Sequence, residues 1–432
     1  MQEAKKTLNQ GQQAAADGFF EFLFNDAKEL IISGPGGVGK TFLMGHLIDE
    51  IMPRYFDTCK LMGMPSHFTE VQMTATTNKA ADVLGLAASR PAETVHSFLN
   101  LKVRDDFSSG RSILTKSPNW TVHQNKILFV DEASMIDTSL RQMILEGTFK
   151  SKIVYVGDHC QLAPVMEPLS PIYLDNLPFY ELTVPMRTGD KHLQALNEQL
   201  RHTVETGEFL PIQIVPGVID WLDDQQMEQE LNSAFLSGHA DARVLAYTNK
   251  RVTEYNNHIR GIRNLPDEFV PGEYLINNTA YRTAKNRLSV EEEVRLMSIS
   301  DTVEDIEICK GVFLQVRRAV LSSALNGIFT NVPLPVDRLH FAQLVKWFSS
   351  QKKWERYFHM KNTYPDLRQR DAATVHKVQG SSLDTVFIDA DNISTCHQPN
   401  TAARLLYVAA SRARMRVVFY GQLAKKYGGL VL

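Results

Sequence analysis

Glu29 to Thr41 reads ELIISGPGGVGKT: five strand-forming residues, a glycine-rich loop, then Lys-Thr opening the amphipathic pattern FLMGHLIDEI. The run Gly34, Pro35, Gly36, Gly37, Val38, Gly39, Lys40, Thr41 satisfies GxxxxGK[ST] in full, in the strand–loop–helix setting that gives the pattern its meaning. Glycines let the backbone N–H groups close on phosphates, and the helix that follows adds a favourable dipole. Lys40 would place its charge on the β/γ-phosphates and Thr41 its hydroxyl on Mg²⁺. About ninety residues on, ILFVDEASM ends an apolar strand in Asp131 and Glu132, where a doubly wound sheet opens its ligand crevice. Asp131 suits the Mg²⁺ sphere and Glu132 suits a general base for water. The pair implies nucleoside triphosphate hydrolysis and leaves open what the energy drives.

The same rhythm of short β-rich run, turn and helical pattern recurs at Val71–Ala75 and Lys152–Asp158, and again at Arg243–Asn249, Thr385–Asp391 and Arg416–Gly421. Two doubly wound parallel-sheet α/β domains are expected, the first over 1–185, the second over 186–260 and 371–432. Splitting the second domain, 261–370 breaks into alternating stretches and then the aromatic run FAQLVKWFSSQKKWERYFHMKNTY, read as a β-rich insertion followed by a short helical one. A smaller insertion at 101–120, with SSGR at its centre, reads as a β-hairpin. The 432 residues are 44% apolar and 22% charged, which fits ordinary globular cores. No apolar run long enough for a membrane span or a signal peptide is seen, so a soluble chain is expected. Four scattered cysteines signal neither disulfides nor zinc. A net charge of −3 means that any nucleic-acid contact must come from a local groove rather than a whole-chain field.

Ten blocks in order resemble a superfamily 1 helicase: LNQGQ (8–12), the phosphate loop, TATTNKAA (74–81), TVHSFL (94–99), VDEAS (130–134), GDHCQLAPV (157–165), LTVPMRT (182–188), AYTNK (246–250), ATVHKVQGSSLD (373–384) and LLYVAASRA (405–413). Compactness, the hairpin before VDEAS and the β-rich insertion before TVHKVQG most resemble the RecD-like branch, superfamily 1B. The resemblance implies two RecA-like domains, the β-rich insertion being SH3-like. It implies that Gln12 contacts adenine, that Gln161 senses the γ-phosphate, that Arg187 and Arg412 are arginine fingers, and that Gln379 and Gly380 complete the second domain's wall. The cofactors implied are ATP and Mg²⁺.

It also implies a path for single-stranded DNA over Thr76, Thr77, Asn78 and Lys79, over Thr94, His96 and Ser97, and over Thr374, His376 and Lys377. Hydroxyl, amide and ammonium groups there can hold phosphates without reading sequence. By the same resemblance, Phe107, Ile113 or Leu114 of the hairpin would abut the first base pair. The aromatic set Trp347, Phe348, Trp354, Tyr357 and Phe358 has helical spacing and is read as mostly helix packing. The expected activity is ATP-dependent 5′-to-3′ translocation with duplex unwinding. Its alternatives are an RNA-directed relative or an ATP-switched single-strand-binding protein that does not unwind. Forked duplex, a single-strand-binding protein and other replication proteins are the expected partners, with a monomer in the cytoplasm, that of the host if the chain is phage-encoded.

Overall fold

The computed structural model describes residues 7–164, 167–186, 190–238, 241–283 and 286–431. The chain separates into two compact units, one of residues 1–102 with 114–189, the other of residues 103–113 with 190–432. In the first, six strands lie in the order Phe179–Glu181, Glu29–Ser33, Lys152–Gly157, Lys126–Asp131, Glu70–Ala75, Glu93–Thr94, every neighbouring pair parallel. Strand period two sends alternate side chains to opposite faces. Leu30, Ile32, Phe129, Val154 and Val156 therefore join Phe19, Phe22 and Leu43 in one core, while Ile31, Leu128, Val130, Ile153 and Tyr155 join Val95, Leu140 and Ile144 in another. Both faces are covered, which is why these strands read as continuous apolar runs. Cutting the fully buried Phe129 back to Ala would cost roughly 3–5 kcal/mol, so the carboxyl ends of these strands are held on a stiff frame.

The helical pattern after the phosphate loop is divided into an α-helix Lys40–His46, a π-helical turn Leu47–Ile51 and an α-helix Met52–Leu61. Pro53 has no N–H to offer the Asp49 carbonyl one turn back, and the wider turn absorbs that missing bond.

In the second unit five parallel strands run in the order Ile219–Leu222, Ala413–Tyr420, Leu383–Asp389, Ala242–Ala246, Ala372–Thr374. Both sheets thus carry the doubly wound α/β architecture expected for RecA-like domains. Between Ala242–Ala246 and Ala372–Thr374 the chain builds an antiparallel sheet from Tyr274–Asn277, Glu292–Ile299, Glu304–Cys309, Val312–Ser323, Gly327–Pro335 and Leu367–Gln369. Helices Arg338–Ser350 and Trp354–Thr363 pack on it: Phe348, Met360 and Tyr364 share a core with Ile308, Leu314 and Val316. Phe348 and Phe358 are buried as helix packing requires, while Trp347 stays 40% exposed. Among the described residues no helix is long and apolar enough to cross a membrane.

Candidate functional site

The loops that matter in the first unit all leave the carboxyl ends of its parallel strands. Asn9 caps the helix Gln10–Phe22 in a reciprocal box: the Gln12 N–H donates to Asn9 Oδ1 at 2.9 Å and the Asn9 N–H donates to Gln12 Oε1 at 3.1 Å. The amide nitrogen of the buried Gln12 then donates to the Val38 carbonyl at 3.1 Å, tying that helix to the phosphate loop. The structure thus gives the Gln12 amide a loop-fixing task, and an adenine contact would require it to exchange these bonds. Gly39 sits at φ +81°, and a Cβ there would meet Gln12 Nε2 at 2.8 Å, so conformation and space both demand glycine. Lys40 Nζ donates to the carbonyls of Gly34 and Pro35 at 2.7 and 2.9 Å, folded onto the loop whose phosphates it would meet. Thr41 follows one residue into the helix.

Asp131 ends its strand, and Glu132 is held in the left-handed region at φ 53°. A non-glycine residue in that conformation is strained, and such strain collects where a side chain must be aimed. Burial, then the charge of Glu132, push the Asp131 carboxyl up to about 7 against the opposing charge of Lys40. A carboxylate so short of cations, together with a threonine hydroxyl, is a hard-oxygen set that fits a divalent ion beside a phosphate. Thr76 is tied to the same strand end: its N–H donates to the Asp131 carbonyl and its hydroxyl to the Glu132 carbonyl, both at 3.3 Å. The Thr76 hydroxyl is therefore engaged behind the acidic pair, and Thr77, Asn78 and Lys79 form the outward part of that block. Thr77 Oγ1 caps the helix Asn78–Ala88 by accepting from the Ala80 N–H at 3.2 Å, which presents a helix N-terminus suited to phosphate. Gln161 is buried just past Lys152–Gly157.

The two TVH blocks occupy equivalent places. Thr94 ends the edge strand of the first sheet and leads into the short helix Val95–Phe98; its Oγ1 accepts from the Ser97 N–H at 3.1 Å. Thr374 ends the edge strand of the second and leads into a 3₁₀ turn Val375–Val378, with no such cap. Desolvation by the surrounding protein lowers the imidazoles of both His96 and His376, the first against an opposing Asp137, so each presents a neutral ring at neutral pH. Lys377 bonds Asn278 and lies 3.5 Å from Glu291, both of the inserted region. Sequence reasoning missed Asn392, whose Oδ1 accepts from the Tyr247 and Thr248 N–H groups at 2.8 and 2.9 Å and shapes the AYTNK loop. Nothing at a separation of 145 residues signals that bond.

Arg412 is buried, donating to the Val408 carbonyl at 3.1 Å, the Ser381 carbonyl at 3.4 Å and Ser411 Oγ at 2.9 Å. It joins the helix Pro399–Ala410 to the turn that carries Gln379 and Gly380, the latter at φ 72°. Its charge meets no carboxylate in an ion pair among the described residues. Arg414 and Arg416 differ sharply, pairing with Asp241 and Asp384 and with Asp220 and Glu230. Arg187 lies outside the described residues; the preceding Met186 N–H donates to the Gly37 carbonyl of the phosphate loop at 2.9 Å.

The hairpin, strands Leu101–Asp106 and Arg111–Lys116, has a stiff tip. The Asp106 carboxylate accepts from the Ser108 hydroxyl and N–H and from the Ser109 hydroxyl, bonds that bring its pKa down to about 2. Phe107 stands edge-on to Phe358 at 5.6 Å, and Asn362 Nδ2 donates to Asp105 at 3.1 Å. Gly110 is at φ +71° against Trp354, where a Cβ would lie 2.4 Å from the indole. Of the three residues read as a wedge, Phe107 is thus braced by a helix, Ile113 is 48% exposed, and Leu114 packs against the first unit's core at the hairpin base.

The AAA-domain family matches residues 7–224, and the UvrD-like helicase C-terminal domain matches residues 371–420. The chain is 23% identical to the ATP-dependent DNA helicase Dda of Enterobacteria phage T4, over 95% of this chain and 99% of that protein. It is 20% identical to the uncharacterized protein R530 of Acanthamoeba polyphaga mimivirus, with the same shares covered. Its fold is similar to that of two coordinating Pif1 helicases at forked double-stranded DNA, at a TM-score of 0.51 and 15% identity, over 98% of this chain and 94% of that one. A Pif1 helicase from Bacteroides in complex with ADP-AlF3 and single-stranded DNA gives the same TM-score and coverage at 14% identity. With a nucleotide-binding first domain of the AAA family and a helicase-type second domain around the TVHKVQG block, the chain belongs to the superfamily 1B helicases.

Proposed function

We propose that the protein is an ATP-dependent DNA helicase that moves 5′ to 3′ along single-stranded DNA and opens duplex ahead of it. The observation that carries this reading is the recurrence of one TVH element at the edge-strand end of both parallel sheets, only one of which also bears a phosphate loop and an acidic pair. One sheet hydrolyses nucleotide, and both grip the strand. Directional stepping follows if the two grips alternate in affinity with nucleotide state.

Lys40 and the loop N–H groups bind the phosphates of ATP, and Thr41 with Asp131 would hold Mg²⁺. That ion, when bound, neutralises charge on the β/γ-oxygens. Glu132 accepts the proton of the attacking water. Gln161 registers the γ-phosphate, and Arg187 and Arg412 offset charge developing in the transition state. The 5′-to-3′ sense follows the similarity to Dda and Pif1. Strand separation falls to the hairpin, whose Phe107 is braced by Phe358 and whose Asp105 is held by Asn362.

The test compares ATP hydrolysis with oligo(dT), with oligo(rU) and without nucleic acid, together with opening of a forked duplex. Stimulation by oligo(dT) and fork opening are expected, and Glu132→Gln should lower hydrolysis by roughly 10²–10⁴-fold while nucleotide still binds. Stimulation by RNA alone would reassign the substrate; stimulation without opening would make the protein a DNA-gripping ATPase.

A further inference from the structure

A cavity of about 380 Å³ lies in the second unit between the antiparallel sheet and the helices Arg338–Ser350 and Trp354–Thr363. Its volume falls in the range of roughly 300–1,000 Å³ typical of sites that take a ligand. The wall is apolar, formed by Leu334, Pro335, Phe341, Val345, Tyr357 and Tyr364. The rim is cationic: Arg338, Lys346, Lys361 and Arg368 against a single carboxylate, Asp366, in a chain whose formal net charge is −3.

Asp366 is already held by Arg368 at 2.9 Å and by Asn278 at 2.5 Å. The other three cations make no ion pair among the described residues. Arg338 lies over the Phe269 ring at 4.2 Å and donates to the Asp267 carbonyl at 3.0 Å. Burial, then the like charge of Arg260, hold its guanidinium below the ordinary value against the opposing charges of Glu273, Asp267 and Asp366, none of which pairs with it directly. Lys361 lies over the Tyr357 ring at 5.2 Å, and Lys346 is exposed on the helix Arg338–Ser350.

A single-stranded nucleic acid would also welcome cations, but it needs open ring faces for its bases. Here the rings are engaged: Phe341 and Tyr364 meet edge-on at 5.6 Å and 68°, and Tyr357 is covered by Lys361 on one side and meets Trp354 edge-on at 85°. An aliphatic and edge-packed aromatic wall accepts a side chain better than a stacked base.

We infer that this cavity is a docking site for an acidic, extended segment of a partner protein that carries one bulky apolar side chain. The apolar side chain enters between Leu334, Val345 and Tyr364, and flanking carboxylates meet Lys346, Lys361 and Arg338. Such rim charges act mainly on encounter rate and salt dependence, while the buried side chain sets residence. The site goes beyond the helicase reading and does not depend on it, because nothing in the cavity belongs to the nucleotide or TVH elements. It does share the helix Trp354–Thr363 with the hairpin, which rests on Trp354, Phe358 and Asn362, while Tyr357 and Lys361 line the cavity.

The test uses the full chain, without ATP or DNA, and a fluorescein-labelled synthetic peptide of five Asp followed by Leu-Phe, read by anisotropy. A peptide with Lys in place of Asp, and an unlabelled twelve-residue oligo(dT) as competitor, are the controls. Saturable binding is expected that the Lys peptide does not share, that oligo(dT) does not displace, and that weakens at least tenfold in Lys346→Glu/Lys361→Glu and in the cavity-filling Ala342→Trp. Both variants should retain DNA-stimulated ATP hydrolysis within twofold, which shows that they fold. Failure of the Asp peptide to bind, equal binding of the Lys peptide, displacement by oligo(dT), or undiminished binding in either variant overturns the assignment; displacement would make the cavity part of the DNA track. Binding with no fork opening by the same preparation would keep this site and remove the helicase reading.

Discussion

At the edge of each parallel sheet a strand ends in Thr-Val-His and turns into a short helix, but what fixes that helix differs. In the first unit Thr94 caps it from within, through the Ser97 N–H. In the second Thr374 makes no cap, and the turn is instead anchored outward by Lys377 on Asn278 and Glu291 of the inserted sheet. The first element is self-contained and shares a sheet with the phosphate loop; the second leans on the insertion and stands in the sheet whose strand Ala413–Tyr420 follows Arg412. In the proposed reading the duplicated element supplies the grip, and the differences around it would divide the labour between chemistry and adjustment.

The largest effect should come from the residue proposed to give the second sheet a part in the chemistry. Arg412→Ala should lower kcat for ATP by roughly 10³-fold or more with little change in KM, since a finger acts on transition-state charge. Arg414→Ala should leave both unchanged, its charge being satisfied by Asp241 and Asp384. Steady-state kinetics decide it, and a change confined to KM would reduce Arg412 to a binding contact.

Next is the anchored grip. Lys377→Met should weaken single-stranded DNA binding about tenfold and reduce the slope of log affinity against log salt by about one, as one phosphate contact is lost. Anisotropy titrations across a salt series would read this. An unchanged slope would mean that Lys377 serves only to tie the turn to Glu291.

A smaller effect separates the caps. Thr94→Val should cost about 1 kcal/mol of stability, a loss of roughly 2–4 °C in melting temperature for a unit of this size, whereas Thr374→Val should lose less because no cap is removed. Equal losses would erase the difference between the two elements.

The smallest effect is in pH. Burial lowers His96 below its ordinary value of 6.5, so the unfolded chain binds the proton more readily. Stability is therefore present above pH 6.5 and is lost as pH falls through the folded value. The melting temperature should drop between pH 7.5 and 5.5, by less in His96→Gln. A rise on acidification of the parent chain would contradict the sign.

What could be read in advance was what is local. ELIISGPGGVGKT and ILFVDEASM carry their elements within a dozen or so residues, through short continuous apolar runs and the glycines a phosphate loop needs, and the parallel character of the sheets, though not their strand order, followed from the rhythm of such runs. The two-residue edge strand Glu93–Thr94 and the three-residue Ala372–Thr374 are too short to show a period, so the TVH blocks could be placed only by resemblance. The tasks of Gln12 and Thr76 were hidden for another reason. Their side chains meet Val38 and Glu132 across tertiary distance, and an amide or hydroxyl looks the same in sequence whether it faces a ligand or its own backbone. The bracing of Phe107 by Phe358 joins residues some 250 apart and leaves no spacing to detect.

The central claim, a 5′-to-3′ motor that opens duplex DNA, is tested most directly with two duplexes of identical sequence, one with a 5′ single-stranded tail and one with a 3′ tail, each incubated with the protein, ATP and Mg²⁺. Release of the displaced strand from the 5′-tailed duplex, with little from the 3′-tailed one and none with Glu132→Gln, is the predicted result; preference for the 3′ tail, or no release from either while DNA-stimulated hydrolysis proceeds, would contradict it.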